Sequence, residues 1–141
     1  MTLSKANSAL FYGTITMVAW GLWMVFGDAA SDAIDPRSAA AISYLVAAPL
    51  ALAYVVASDA PLAVPTHGGA LAAVSGLFAA VGLVAMYVGL ASGPTAVVST
   101  LGAMYFVVAA ALGVAVSGDD VSATTLAGIA FAVVGVALIA R

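Results

Sequence analysis

Cysteine is absent from the chain, which excludes disulfides, thiolate metal sites and cysteine nucleophiles. Histidine occurs once, as His67, and one imidazole cannot build a metal site or a catalytic pair. Glutamate is missing, so every acidic residue is aspartate: Asp28, Asp32, Asp35, Asp59, Asp119 and Asp120. The fixed positive charges are Lys5, Arg37 and Arg141, too few for a nucleic-acid surface or a polybasic grip on anionic lipid.

What is present in quantity is apolar. Hydrophobic residues make up 65% of the chain and charged residues 6%, whereas soluble domains are about half apolar and about a quarter charged. So few charges cannot keep a folded surface of 141 residues wet. The chain therefore uses lipid as its solvent, and its length allows one domain, residues 1–141. Acidic loops with almost no lysine suit a salt-rich cytoplasm such as a halophilic archaeon's, although nine charges can also fall this way by coincidence.

Crossing a hydrocarbon core of about 30 Å takes about 20 apolar residues in a helix. Five segments meet that length, at residues 9–27, 38–57, 69–90, 93–116 and 121–140, so the expected fold is an all-α bundle of five transmembrane helices. Turn and charge signals bound them: Asp28 stops the first, Asp35-Pro36-Arg37 precedes the second, and Gly93-Pro94 opens the fourth. That last connection is short enough to make the third and fourth helices antiparallel neighbours. Asp119 or Asp120 with Ser122 caps the fifth, and Pro49 bends the second from inside. The first segment is too long for a signal-peptide core of roughly 7–15 residues and reads as a retained helix.

An odd number of spans puts Lys5 on one side of the membrane and Arg37 with Arg141 on the other. Orientation follows the Lys/Arg imbalance, and one against two is almost no instruction. Insertion in both orientations is consistent with that count, and so is a merely weak bias.

In lipid, small residues mark the faces on which helices meet. Gly82 and Gly89 in the third helix and Gly128 and Gly135 in the fifth fall at helical spacing, for contacts within a bundle or between subunits. The first helix carries Tyr12, Thr16, Trp20, Trp23 and Gly27 on one face. Tyr12 and Trp23 fit an interfacial belt, but Trp20 lies deeper, so the face reads as the wall of a polar cavity. Ser99, Thr100 and Tyr105 in the fourth helix form a second hydroxyl and aromatic face, which Ser43 and Tyr44 of the second helix could join. Either hydroxyl alone is explained by bonding to its own helix. No ionisable residue lies deep in a span, and no acid, base or metal-ligand set suggests an enzyme or a cofactor.

The layout from about Ala9 to Arg141 resembles one EamA-like unit of the drug/metabolite transporter superfamily. The resemblance rests on Ala19-Trp20-Gly21, on Leu90-Ala91-Ser92-Gly93-Pro94-Thr95-Ala96-Val97-Val98, and on Gly118-Asp119-Asp120-Val121-Ser122 before a helix containing Leu126-Ala127-Gly128-Ile129-Ala130 and Gly135-Val136-Ala137-Leu138. Two departures stand out: Asp119 where relatives often have glutamate after the glycine, and Phe106 where many have proline. Larger members hold two such units in inverted orientation. The resemblance thus implies a multi-pass transporter in the cell membrane that moves a small metabolite by alternating access, completed by two copies or by this chain and a partner, an antiparallel homodimer being the arrangement that recreates the inverted repeat. The cavity residues expected from the helix faces are Thr16, Trp20, Trp23, Ser99, Thr100 and Tyr105, and the composition offers no cofactor, metal or nucleic-acid site. The rival expectation is a non-transporting accessory or structural subunit of a membrane complex.

Overall fold

The computed structural model describes residues 5–58, 64–117 and 120–139, and among these every regular element is helical. Helix α1 spans Lys5–Ala33. It does not stop at Asp28, as the charge pattern suggested, but continues through Asp28 and Asp32. Its 29 residues reach about 43 Å at 1.5 Å per residue, well beyond a hydrocarbon core of about 30 Å. With the apolar stretch in lipid, the aspartate-bearing turns project into the headgroup region, where a carboxylate stays solvated. Aspartate costs less than about 1 kcal/mol inside a helix, so it ends the lipid-buried stretch without ending the helix.

The chain turns at Ile34 and Asp35. A residue before proline is pushed out of the α region, and Asp35 is extended, with φ −52° and ψ 127°. Its Oδ1 accepts from the N–H groups of Arg37 at 2.9 Å and Ser38 at 3.3 Å, which caps α2, Pro36–Ala57. Arg37 Nη1 lies 3.5 Å from Asp35 Oδ2, but both side chains are exposed and such a pair adds little. The cap contributes more. Asp35→Ala is expected to lower stability by about 1 kcal/mol, measured by denaturant unfolding in micelles. An unchanged midpoint would mean that water satisfies those N–H groups equally well.

Helix α2 runs unbroken through Pro49. Helix α3, Thr66–Leu90, begins three residues earlier than residue 69 because Pro65, extended at ψ 140°, is its N-cap. Pro94 plays the same part for α4, Thr95–Ala103, so that helix starts after the proline and not at Gly93.

The fourth span is not one uniform rod. Helix α4 gives way at Met104 to α5, Tyr105–Leu112, and then to a π-helical stretch, Gly113–Ser117. At the break, Met104 N–H donates to Leu101 O at 3.1 Å and Val107 N–H to Met104 O at 2.9 Å, each three residues back. A glycine accompanies each irregularity, Gly102 before the first and Gly113 opening the second, in keeping with glycine's weak hold on a helix.

Helix α6 spans Ala123–Ile139 and starts two residues later than residue 121. Ser122 caps it as expected, its Oγ accepting from Thr125 N–H at 3.1 Å. Asp120 is exposed beside it, whereas Asp59, Gly118, Asp119, Ala140 and Arg141 lie outside the described residues. Among the described residues four stretches are long and apolar enough to cross a membrane: 7–33, α2, α3 and 95–116; α6 is apolar but shorter as described. This is an all-α membrane protein.

The helices form two compact units, one up to Ala91 with α1, α2 and α3, the other from Ser92 with α4, α5 and α6. In the first, all three helices contact one another, and in the second α4 meets α6. Burial is concentrated in the first unit, where Ala39, Ala40, Tyr87, Leu90 and Ser31 are buried. Small residues at Ala39 and Ala40 bring the backbones close, which is how helices hold together where lipid is as apolar as their side chains. Gly82, Gly128 and Gly135 do not serve that purpose within their own units, since a Cβ at each would meet nothing within 4 Å.

Candidate functional site

The first unit contains a cavity, and its polar centre is a pair of hydroxyls. It forms where the last third of α1, the first third of α2 and the final turn of α3 converge. Tyr87, near the end of α3, is only 2% exposed. A phenol buried that far needs a partner for its hydroxyl, and Ser43 Oγ on α2 supplies one. The ring meets Trp23 of α1 edge to face, with centroids 5.5 Å apart and planes at 68°.

Gly27 makes this packing possible. It lies one turn after Trp23 on the same face of α1, and a Cβ there would stand 3.3 Å from Tyr87 Cζ and 3.4 Å from its hydroxyl oxygen. Glycine is used here for close approach, not for an unusual backbone angle.

The space left beside these residues is about 240 Å³. Trp23, Phe26, Ile34 and Ile42 supply apolar walls, Gly27, Ala30 and Ala39 small ones, and Ser43 with Tyr87 the hydrogen-bonding groups. None of the lining residues is charged. Among the described residues no group of histidine and carboxylate side chains could hold a metal ion. The polar groups it offers are two hydroxyls, which can donate and accept hydrogen bonds.

Of the residues singled out from sequence, Trp23 lines the cavity. Trp20 is half exposed, with its ring 6.4 Å from that of Trp23 and tilted against it by 56°. Thr16 turns its hydroxyl back to Tyr12 O at 3.0 Å. Ser99 and Thr100, in the second unit, both donate to the carbonyl of Ala96, the former at 3.3 Å. Tyr105 is exposed at the start of α5. Ser43 lines this cavity with Tyr87 and not with the fourth-helix hydroxyls that the sequence suggests for it, while its neighbour Tyr44 does not line it.

Tyr87 escapes a reading of the sequence. A tyrosine one turn from a helix end resembles an interfacial belt residue, and nothing local marks it as buried. The usable signal lies elsewhere: Gly27 closes the aromatic face of α1, and such a gap needs something large to fill it.

The profile of the EamA-like transporter family matches residues 7–141. No curated protein and no solved structure matches the chain.

Proposed function

The chain belongs to the EamA-like transporter family, and from that membership we propose that it carries a small metabolite across the plasma membrane by alternating access, as an antiparallel homodimer. The observation that carries this reading is the uncharged cavity of about 240 Å³ around Trp23, Ser43 and Tyr87. A solute must shed water to enter such a space, and the hydroxyl pair replaces part of what it loses.

The cavity lies nearer the membrane face where α1 ends and α2 begins. An antiparallel pair would set one cavity toward each face, which is the inverted-repeat arrangement that alternating-access transporters use. The balance of one basic residue against two gives the insertion machinery little reason to prefer one orientation. The glycines at positions 82, 128 and 135 leave room for a second copy to approach closely.

Because the chain has no cysteine, orientation can be read with single engineered thiols. His67 stands in the first turn of α3 and Ser92 just beyond its other end, so they mark opposite faces of the membrane. His67→Cys and Ser92→Cys cells would be treated with a membrane-impermeant maleimide before and after permeabilisation. Each variant is expected to label to about one half from outside, as insertion without a charge preference requires. Complete labelling of one and none of the other would remove the antiparallel dimer.

A further inference from the structure

We infer that the cavity between α1, α2 and α3 accepts a small, neutral, largely apolar solute bearing one hydrogen-bonding group, which takes the Tyr87 hydroxyl from Ser43. The inference rests on the transporter reading for its purpose, but it concerns what the cavity selects.

Size is the first argument. A volume of about 240 Å³ falls below the roughly 300–1,000 Å³ of pockets that hold drug-sized ligands, so the solute is small. Charge is the second. An ion in this space would find no counter-charge among the lining residues, and an ion that gives up water without one costs more than a neutral group that keeps a hydrogen bond. Asp28 follows Gly27 on α1 but does not line the cavity, and Asp35 is committed to its cap and to Arg37.

The third argument comes from how this chain treats its other hydroxyls. Thr14, Thr16, Ser31 and Thr100 each donate to the carbonyl four residues back in their own helix. Ser43 instead spends its hydroxyl on Tyr87, 44 residues away. A serine in a helix always has the four-back carbonyl to return to, so Ser43 can release the phenol at little cost. Tyr87 has no such retreat. A phenol in the last turn of α3 cannot fold back onto a backbone acceptor, because its hydroxyl lies at the far end of a rigid ring. An incoming alcohol or amide can therefore exchange places with Ser43. An acyl chain of lipid could fill the volume, but it would leave the hydroxyl pair without purpose.

The test uses purified protein in lipid nanodiscs, labelled with 5-fluorotryptophan. Two tryptophans give two fluorine resonances, assigned through Trp20→Phe. Trp23 lines the cavity and Trp20 does not, so binding moves the Trp23 signal more than that of Trp20, whereas partitioning into lipid moves both without saturating. Four probes share one ring: cyclohexylmethanol, cyclohexylmethylammonium, cyclohexanecarboxylate and methylcyclohexane. The alcohol is expected to move the Trp23 resonance saturably, with at least tenfold tighter binding than either ion. Tyr87→Phe should weaken the alcohol about fivefold, the scale of one hydrogen bond, and leave methylcyclohexane unchanged. Ser43→Ala should keep or strengthen alcohol binding, since it removes the competitor.

Equal or tighter binding of an ion, or methylcyclohexane binding as tightly as the alcohol, would overturn the assignment; the latter would mark a lipid-tail pocket. Loss of alcohol binding in Ser43→Ala to the extent seen in Tyr87→Phe would overturn the exchange, and so would no saturable shift with any probe. These readings concern the cavity only. Failure of the transporter reading would appear instead in thiol labelling and in transport.

Discussion

Replacing Gly27 with leucine is expected to abolish occupancy of the cavity and to lower stability by about 1–3 kcal/mol, the usual range for overpacking. The reason is local and steric. The first added carbon would already press on the Tyr87 ring at 3.3 Å from Cζ, and leucine adds three more carbons in the same direction. The ring must leave, its bond to Ser43 breaks, and the side chain enters the space beside Trp23. Gly27→Ala sets the scale. There the ring need shift only by tenths of an ångström, and a gain of about 1 kcal/mol in helix propensity offsets the strain. Alanine should therefore be close to neutral and leucine severe, in both unfolding in micelles and ligand-induced shift of the Trp23 resonance. A leucine variant with undiminished binding would show that Tyr87 does not shape the cavity.

Truncating Tyr87 to alanine is expected to have the second-largest effect, about 2 kcal/mol of stability. In a soluble core the loss would combine the free energy of transfer from water with the cost of an empty cavity. Here the transfer contribution nearly vanishes, because the unfolded reference also sits in lipid and lipid is as apolar as a protein interior. The cavity cost remains. At about 24 cal/mol for each cubic ångström left empty, removing a ring of roughly 100 Å³ accounts for the expected loss. Tyr87→Phe isolates the hydroxyl and should cost about 1 kcal/mol or less, since Ser43 can turn back to its own helix. Reversible unfolding in mixed micelles would separate the two variants. Equal losses would place the stabilisation in the hydrogen bond and not in the packed ring.

The helical class, the order and the approximate positions of the apolar segments are legible in the chain because lipid leaves few options. Backbone groups in hydrocarbon must be satisfied within the segment, so an apolar stretch of that length is a helix. The ends are less legible, each for its own reason. Asp28 and Asp32 interrupt the apolar run, yet α1 continues past them to Ala33. Pro94 looks like a first helical residue but is the extended residue before one. Ser122 caps its helix as the sequence suggests, and Asp35, which the sequence marks only as part of a boundary, caps α2 as well, because capping depends on short-range chemistry.

The candidate site is legible on α1 and hidden on α3. Trp23 and Gly27 stand out as part of a repeated face, because helical spacing can be counted from sequence. Tyr87 cannot be found that way, since its partners Trp23, Gly27 and Ser43 lie on other helices. Hydroxyls are the least readable of all. Thr16 and Ser43 look alike in sequence, yet one is absorbed by its own backbone and the other reaches across to α3.

The interruption at Met104 gives the fourth span a mechanical property that an unbroken helix lacks. It stands near the middle of the 22 residues from Thr95 to Val116, and the ladder there is tightened to three-residue steps on either side of one methionine. A uniform helix resists bending along its whole length, whereas this rod has a joint. Each arm is about 15 Å long at 1.5 Å per residue. A swing of about 10° at the joint would therefore carry the far end by about 3 Å, roughly the width of a water molecule, while neither arm loses a turn. In a membrane, where backbone cannot unwind without penalty, such a junction would let the span change direction at its midpoint while both arms keep their ladders.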